Sequence, residues 1–553
     1  MFFINNIKRL LSGKRSSYII VLFCCFVKSI LILFYTYTGR DKMYHLSAVY
    51  NLLHGKGWTN SFYYVENVNR EVLQPFCFWP AGYGISITPF QLLFGNNFFW
   101  STSLLEVLCF IAFILLCRSI LKLRGMNAMW LSISTIVLGL APYDFIEASL
   151  GTDLPGLCFL LGFFYFVLKI WNSSEANKRK LIFMGTGAGI CLFMSALIRF
   201  MYMPVGLLAL LACLLITFMQ KKKTALPGIF TALVVGVSGI LFSVFAQTIH
   251  CGTPFYIGAE QQRGIYFSNF GYWHPVILFS FINLNVLGSI GQKFTGIPYA
   301  EFFNVFSWFN IIIYVGFFFM ALVFIKKYLW RWRQTESFPF FSFFGFIISA
   351  SIVGELAYLS LTTAPQVFPG GTKWTFLAEG RYFAFVIIFI QLFFLSTVGS
   401  SDFKINYNKP VRFLFYGLFC LMLFNSAHQL YFTAKVAISF SDMKKNSVRE
   451  QDYVAFEQLL KKSIEQNPDK QILVAASDAY FPLIASVYKQ KGLADPLSLN
   501  ATLPLVNMPS LLITVIGDFE RNDYAGYLNR NETRLVGKAT NKSFYMQLLQ
   551  PAH

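Results

Sequence analysis

Long apolar runs alternating with short polar turns dominate the chain. The runs fall at 18–38, 98–118, 127–146, 153–171, 181–198, 201–219, 229–249, 305–325, 338–362, 382–398 and 411–432. Each is close to the roughly 18–22 apolar residues that cross a bilayer as a helix. Helices also satisfy their own backbone hydrogen bonds in lipid. The pattern predicts a polytopic α-helical membrane protein with about 11 transmembrane helices. The break between the fifth and sixth runs rests on one short segment, Arg199-Phe200-Met201-Tyr202-Met203-Pro204.

Two stretches follow other periods. Between 41 and 55, apolar positions recur at Met43, Leu46, Val49, Tyr50 and Leu53, spacings of three and four that mark one helical face. Lys42, His45 and Asn51 occupy the other face, which predicts a helix lying in the outer membrane interface. Asp41 stands at or next to its N-cap, where a carboxylate accepts backbone N–H bonds. A cap and a catalytic acid or base are equally open readings of this residue. After about 433 the chain carries more charge and shorter apolar runs. Helices are predicted over 448–464 and 478–490, strands over 471–475 and 511–516, and a last strand over 544–549. That alternation predicts a soluble α/β domain over 433–553, after a membrane domain over 1–432 whose first outer loop is 39–97.

Composition agrees with the membrane reading: 56% of residues are hydrophobic, 13% are charged, and 64 are Phe. The formal net charge of +19 raises the question of nucleic acid. The basic residues instead gather in short turns at every second connection: Lys8 to Arg15, Arg118 to Arg124, Lys178 to Lys180, Lys221 to Lys223, Lys326 to Arg333 and Lys404 to Arg412. This positive-inside pattern puts the N-terminus in the cytoplasm. An odd number of spans then puts the C-terminus outside the cell inner (plasma) membrane, and no nucleic-acid partner is implied. The first run is longer than a signal-peptide core and lacks a small-residue cleavage site, so it is expected to stay as an anchor. Most of the 10 Cys residues, such as Cys24, Cys25, Cys109, Cys117 and Cys191, lie in apolar runs without metal spacing and read as small packing residues. Cys77 and Cys251 fall in outward loops and could pair, although nothing local brings them together.

The outward segments hold the candidate chemistry. Asp41 is followed by Tyr44 and His45. Gln74-Pro75-Phe76-Cys77-Phe78-Trp79-Pro80-Ala81-Gly82-Tyr83-Gly84 lies late in the first loop. Glu147 and Thr152-Asp153-Leu154-Pro155 stand at the mouth of the fourth span, and Lys373 to Arg381-Tyr382 leads into the tenth. His250 and His274 have no ligand partner at metal spacing, so no metal site is read. Two carboxylates could still hold a divalent cation with water. Asn531 and Asn541 begin N-x-S/T triplets, which carry meaning only in a glycosylating secretory pathway. The aromatic segment 267–308 reads as interface anchoring or as a groove for an isoprenoid tail.

In order and sidedness these motifs resemble the integral-membrane GT-C glycosyltransferases. Asp41 after the first span with the later Leu52-Leu53-His54-Gly55-Lys56-Gly57-Trp58, the Trp79-Pro80-Ala81-Gly82-Tyr83 stretch, Thr152-Asp153-Leu154-Pro155 and Arg381-Tyr382 carry the likeness. The nearest branch is that of protein mannosyltransferases and aminoarabinose transferases, which use polyprenyl-phosphate sugars. The match covers the membrane part, about four-fifths of the chain, and does not extend clearly to the tail.

The resemblance implies inverting transfer of a sugar from a polyprenyl-phosphate-linked donor to a lipid, glycan or protein acceptor outside the membrane, without a cofactor. Asp41 would be the general base that takes the acceptor proton. Asp153 would be a second carboxylate orienting acceptor or sugar, or else an N-cap before Pro155. Asp144 and Glu147 compete for that role. The leaving phosphate calls for a cation, and Arg suits it through its planar fork. Arg381 is the first choice, with Arg70, Lys373 and Arg263 behind it. Arg199 is outward too, but it sits where pairing with an interior acid is equally expected. Tyr44, His45, Trp79 and Tyr382 complete the substrate-binding set. Two departures stand out. The aminoarabinose branch often has Lys where this chain has Trp79, and the prolines that usually follow R-Y are replaced by Phe383-Ala384-Phe385-Val386. A transporter or lipid flippase is the main rival, and expects internal repeats and charged or broken helices near the midplane. A lipid-linked-sugar polymerase or ligase and a non-catalytic scaffold are the others.

Overall fold

The computed structural model describes residues 13–35, 40–64, 67–77, 79–143, 151–173, 177–219, 224–253, 266–267, 273–283, 287, 293–296, 308–324, 351–354, 356–357, 366–367, 373–374, 383–400, 403, 408–443, 448–476, 480–492, 511–517, 533–540 and 544–551. The described elements run in the order α1 (Lys14–Tyr35), α2 (Arg40–Leu53), β1 (Thr59–Tyr64), β2 (Asn67–Pro75), α3 (Gly82–Phe94), α4 (Phe98–Leu123), α5 (Ala128–Leu140), α6 (Asp153–Asn172), α7 (Lys178–Ile198), α8 (Tyr202–Met219) and α9 (Leu226–Cys251). They continue with α10 (Trp273–Phe279), α11 (Phe309–Phe324), β3 (Gln366–Val367), β4 (Lys373–Trp374), α12 (Ala384–Val398), α13 (Lys409–Met443), α14 (Val448–Gln466), β5 (Ile472–Ala476), α15 (Tyr480–Val487), β6 (Lys491–Gly492), β7 (Leu511–Gly517), β8 (Thr533–Thr540) and β9 (Phe544–Pro551).

Among the described residues, six helices are long and apolar enough to cross a membrane: α1, α4, α6, α7, α9 and α13. Apolar stretches of α5, α8 and α12 are shorter. The protein is a multi-pass helical membrane protein. The expected break at Arg199 is real, since α7 ends at Ile198 and α8 starts at Tyr202. Most of the expected span at 338–362 lies outside the described residues.

The chain divides into two compact units: Met1–Ile30, Phe78–Gly82 and Glu106–Ala434 form one; Leu31–Cys77, Tyr83–Leu105 and Lys435–His553 form the other. The first is the helical bundle. Small residues let its helices approach closely, the usual device where lipid removes the hydrophobic drive for helix pairing. Gly185 of α7 leaves room only for the backbone of Gly228 on α9. A side chain at Gly189 would stand 2.6 Å from Val235 and 2.9 Å from the Ala232 carbonyl. Cys24 of α1 packs in the same way on Gly139 of α5, so this thiol acts as the small apolar residue its sequence setting implies. Phe164 of α6 packs against Phe385 and Phe389 of α12.

Buried polar groups cross-link the bundle. Tyr143 donates to Gln391 Oε1 at 2.6 Å, and Gln391 Nε2 donates to the Ser280 carbonyl at 2.9 Å. Asn425 Nδ2 donates to the Phe281 carbonyl at 2.9 Å, and Asn310 bonds the His274 backbone N–H at 2.8 Å. Arg118, one of the basic residues of the expected inward turns, donates to Thr135 Oγ1 at 3.1 Å and also to Ser17, tying α4 to α5 and α1. Lys28 is fully buried, with its ammonium 5.9 Å from the Tyr143 ring centre.

The second unit joins α2, the β1–β2 hairpin and α3 with the C-terminal elements. β1 and β2 pair antiparallel from Thr59 opposite Pro75 to Tyr64 opposite Asn67. The C-terminal strands form a five-stranded sheet of order β6-β5-β7-β9-β8. β5 is parallel to β6 and β7, while β9 is antiparallel to both β7 and β8. The predicted tail elements correspond to α14, β5, α15, β7 and β9; β6 and β8 are additional.

Candidate functional site

In the second unit, Asp41 is the second residue of α2, inside its first turn rather than at the cap, and its side chain lies outside the described part. A carboxylate in that turn is favoured by the helix dipole. On the apolar face of α2, Met43, Leu46 and Val49 are fully enclosed, Tyr50 is half-buried and Leu53 is exposed. The opposite face departs from the expectation of an interfacial helix: Lys42, His45 and Asn51 are buried too. For Asn51 the reason is the hairpin, which the periodicity of 41–55 does not register. Asn51 Nδ2 donates to the Thr59 carbonyl at 2.8 Å and to Ser61 Oγ at 3.0 Å. Tyr44 meets Phe62 edge-on at 6.3 Å between ring centres.

His45, 0% exposed, lies 4.8 Å from the Phe76 ring and 5.2 Å from Tyr83. Burial pushes its pKa down to about 3, so the imidazole is neutral at physiological pH. Trp58 packs edge-on against Phe76, and Gly84 comes so close to Trp58 that a side chain there would stand 2.6 Å from the indole ring. Lys56, ahead of β1, pairs with Glu71 of β2 at 2.5 Å. Burial raises the Glu71 pKa, but hydrogen bonds from Lys56 and Ser61 outweigh it and leave the carboxyl below its ordinary value.

In the helical bundle, Asp153 is the first residue of α6 and is 0% exposed. It is ion-paired with Arg199 Nη1, and the same nitrogen donates to Thr152 Oγ1 at 2.9 Å. Arg199 is the C-cap of α7, with its backbone N–H on the Ser195 carbonyl, and its Nε lies 2.9 Å from Met201 Sδ. Gly156, one turn into α6, makes room for the pair: a side chain there would stand 3.1 Å from the Tyr202 ring and 3.2 Å from Arg199 Cβ. The Trp79-Pro80-Ala81-Gly82 motif reaches the same helix end. Gly82 packs on the α7 backbone, where an added Cβ would lie 2.6 Å from the Leu197 carbonyl group. Two motifs far apart in sequence therefore converge on the end of α7.

The remaining predicted residues are scattered. Arg70 lies on β2 and is exposed; Trp79 is half-buried; Lys373 starts β4, which pairs with β3. Asp144, Glu147, Arg263, Arg381 and Tyr382 lie outside the described residues, as do Asn531 and Asn541. The eight described cysteines other than Cys77 and Cys251 are free. The spacing of apolar residues over 41–55 carries no sign of the hairpin's grip on α2. The aromatic and β-branched run Phe62-Tyr63-Tyr64-Val65, followed by Val72-Leu73, was its available signal.

The chain has the fold of ArnT from Cupriavidus metallidurans. The crystal structure of ArnT from Cupriavidus metallidurans bound to undecaprenyl phosphate aligns with a TM-score of 0.51 and 12% identity, over 96% of this chain and 97% of that one. The apo state of the same ArnT gives 0.52 at the same identity and coverage. At that identity the likeness is one of fold. The apo oligosaccharyltransferase of Archaeoglobus fulgidus aligns with a TM-score of 0.48 and 12% identity, over 93% of this chain and 71% of that one. No protein-family model and no curated protein sequence matches the chain.

Proposed function

We propose that this protein transfers a sugar from a polyprenyl-phosphate donor to an acceptor on the extracytoplasmic face of the inner membrane, with inversion and with Asp41 as general base. The observation that carries the reading is the near full-length fold likeness to ArnT, a protein crystallised with undecaprenyl phosphate. Fold alone does not specify chemistry. Asp41 supplies the chemical part, standing in the first turn of a helix buried on both faces.

The acceptor hydroxyl attacks the anomeric carbon, and its oxygen forms the new bond as the bond from carbon to phosphate oxygen breaks. The acceptor proton passes to Asp41, and the lipid phosphate leaves with the electron pair. The donor carries a good leaving group, so the step needs a base more than an acid. The first turn of α2 favours the ionised carboxylate that accepts the proton. A cation must meet the leaving phosphate, and Arg381 with Tyr382 remains the first assignment, followed by Arg70, Lys373 and Arg263. Neutral His45 shapes the wall beneath α2 rather than carrying charge. Asp153, closed in by Arg199, serves to set the outward ends of α6 and α7. Glu147, Tyr44 and Trp79 stay assigned to substrate binding.

The positive-inside pattern supports a cytoplasmic N-terminus and an extracytoplasmic C-terminal α/β domain built from α14 to β9. Purified wild type and Asp41→Asn, assayed for sugar release across a panel of polyprenyl-phosphate sugars, test the proposal. The variant is expected to lose about 10²- to 10⁴-fold in turnover. Equal turnover removes Asp41 as the base, and an inactive wild type across the whole panel points to the transporter reading.

A further inference from the structure

The C-terminal sheet and the helix that carries Asp41 fall in one compact unit although some 400 residues separate them. Three contacts link them. Helix α15 packs against α2. Strand β1, which is bonded to α2 through Asn51, lies beside β6, the edge strand of the five-stranded sheet. Between those two strands the ammonium of Lys491 sits 5.6 Å from the centre of the Tyr63 ring. An edge strand of two residues presents unpaired backbone groups, and covering it is one way such edges are managed. Here the cover is the hairpin that grips α2.

We infer that the C-terminal sheet is a positioning element for the Asp41 helix: through α15 and through the Lys491–Tyr63 contact on the hairpin, it sets where the first turn of α2 stands. Tyr63 and Lys491 are thus positioning residues, acting on Asp41 through β1 and Asn51. The inference rests on the role proposed for Asp41 only where it concerns turnover; the mechanical coupling stands apart from it. It differs from a tail that only recruits an acceptor, because the tail is then needed for the chemical step with any acceptor.

The ring face and the cation are the interacting parts, so conservative changes should keep the coupling and others should break it. The test uses the full-length protein in lipid nanodiscs and compares wild type with Tyr63→Phe, Tyr63→Leu, Lys491→Arg and Lys491→Gln. Hydrogen–deuterium exchange of residues 40–53 is the first readout and needs no substrate. Tyr63→Leu and Lys491→Gln are expected to speed exchange there by about two- to fivefold, while Tyr63→Phe and Lys491→Arg match wild type. Turnover of a polyprenyl-phosphate sugar is the second readout, with kcat falling in the same two variants and the donor KM unchanged. If exchange over 40–53 stays at the wild-type rate in both disruptive variants, the coupling is overturned. If exchange responds but Asp41→Asn keeps full turnover, the base assignment fails and the coupling survives. If exchange does not respond and Asp41→Asn is inactive, the coupling alone is lost.

Discussion

Arg199, the C-cap of α7, closes on Asp153, the first residue of α6, and the same guanidinium nitrogen holds Thr152 Oγ1 at 2.9 Å. The two side chains are 9% and 0% exposed, so the pair is desolvated as well as matched in charge. Removing one partner of such a pair leaves a buried charge uncompensated, at a cost of about 3–5 kcal/mol, whereas replacing both with apolar groups of similar volume is often neutral or stabilising. Arg199→Met and Asp153→Leu are each therefore expected to lower thermal stability in detergent sharply. Asp153→Leu combined with Arg199→Met should recover most of the loss. A double-mutant cycle by thermal unfolding reads the difference, and additive losses would count against the pair as a unit.

The membrane helices are legible in the sequence because lipid allows few alternatives: a segment that crosses must be long, apolar and helical. The Arg199 break is legible for the same reason. Its partner is not, since no local pattern says that an arginine ending one helix closes on the acid that starts the helix before it. The hairpin is the larger omission. Met43, Leu46 and Val49 announce one buried face of α2, but Lys42, His45 and Asn51 look like a solvated face, although all three are buried, Asn51 against β1 and His45 against Phe76 and Tyr83. Polar residues are then buried by tertiary packing, which periodicity cannot register. The tail shows the reverse case: β5 and β7 are short apolar runs that read as strands, whereas β8, Thr533–Thr540, has the mixed composition of an edge and passes unnoticed.

Gly82 of the Trp-Pro-Ala-Gly-Tyr stretch is set by space, not by backbone angle. A methyl group would stand 2.6 Å from the Leu197 carbonyl group and 2.7 Å from the Ile198 nitrogen, both main-chain atoms that cannot swing aside. Gly82→Ala should cost about 1–3 kcal/mol, the usual range for overpacking. Gly316, inside α11 with nothing within 4 Å of an added Cβ, is the control. Gly316→Ala should be neutral or stabilising by up to about 1 kcal/mol, the helix-propensity difference. Chemical or thermal unfolding of the two variants in the same detergent checks the contrast.

Asn51 joins α2 to the hairpin with two hydrogen bonds from a single buried amide. Asn51→Leu keeps the volume but leaves the Thr59 carbonyl without that donor, which costs about 1–3 kcal/mol when the group is buried. Faster hydrogen exchange should follow over 59–64. Unchanged exchange in β1 would show that the aromatic contacts alone hold the hairpin.

His45 gives the protein an acid limit. Burial among Phe76 and Tyr83 depresses its pKa from an ordinary 6.5 to about 3 in the folded state. Between those two values the unfolded chain binds a proton that the folded chain does not, so stability falls as pH drops. The contribution is complete above about pH 6.5 and is progressively lost down to about pH 3. His45→Phe removes the titrating group and keeps an aromatic ring between the same neighbours. A plot of thermal midpoint against pH should then be flatter for the variant than for wild type across that window, with the two curves running parallel above pH 7. Parallel curves on the acid side as well would mean that His45 does not change protonation on unfolding, and the carboxylates would become the source of the acid slope.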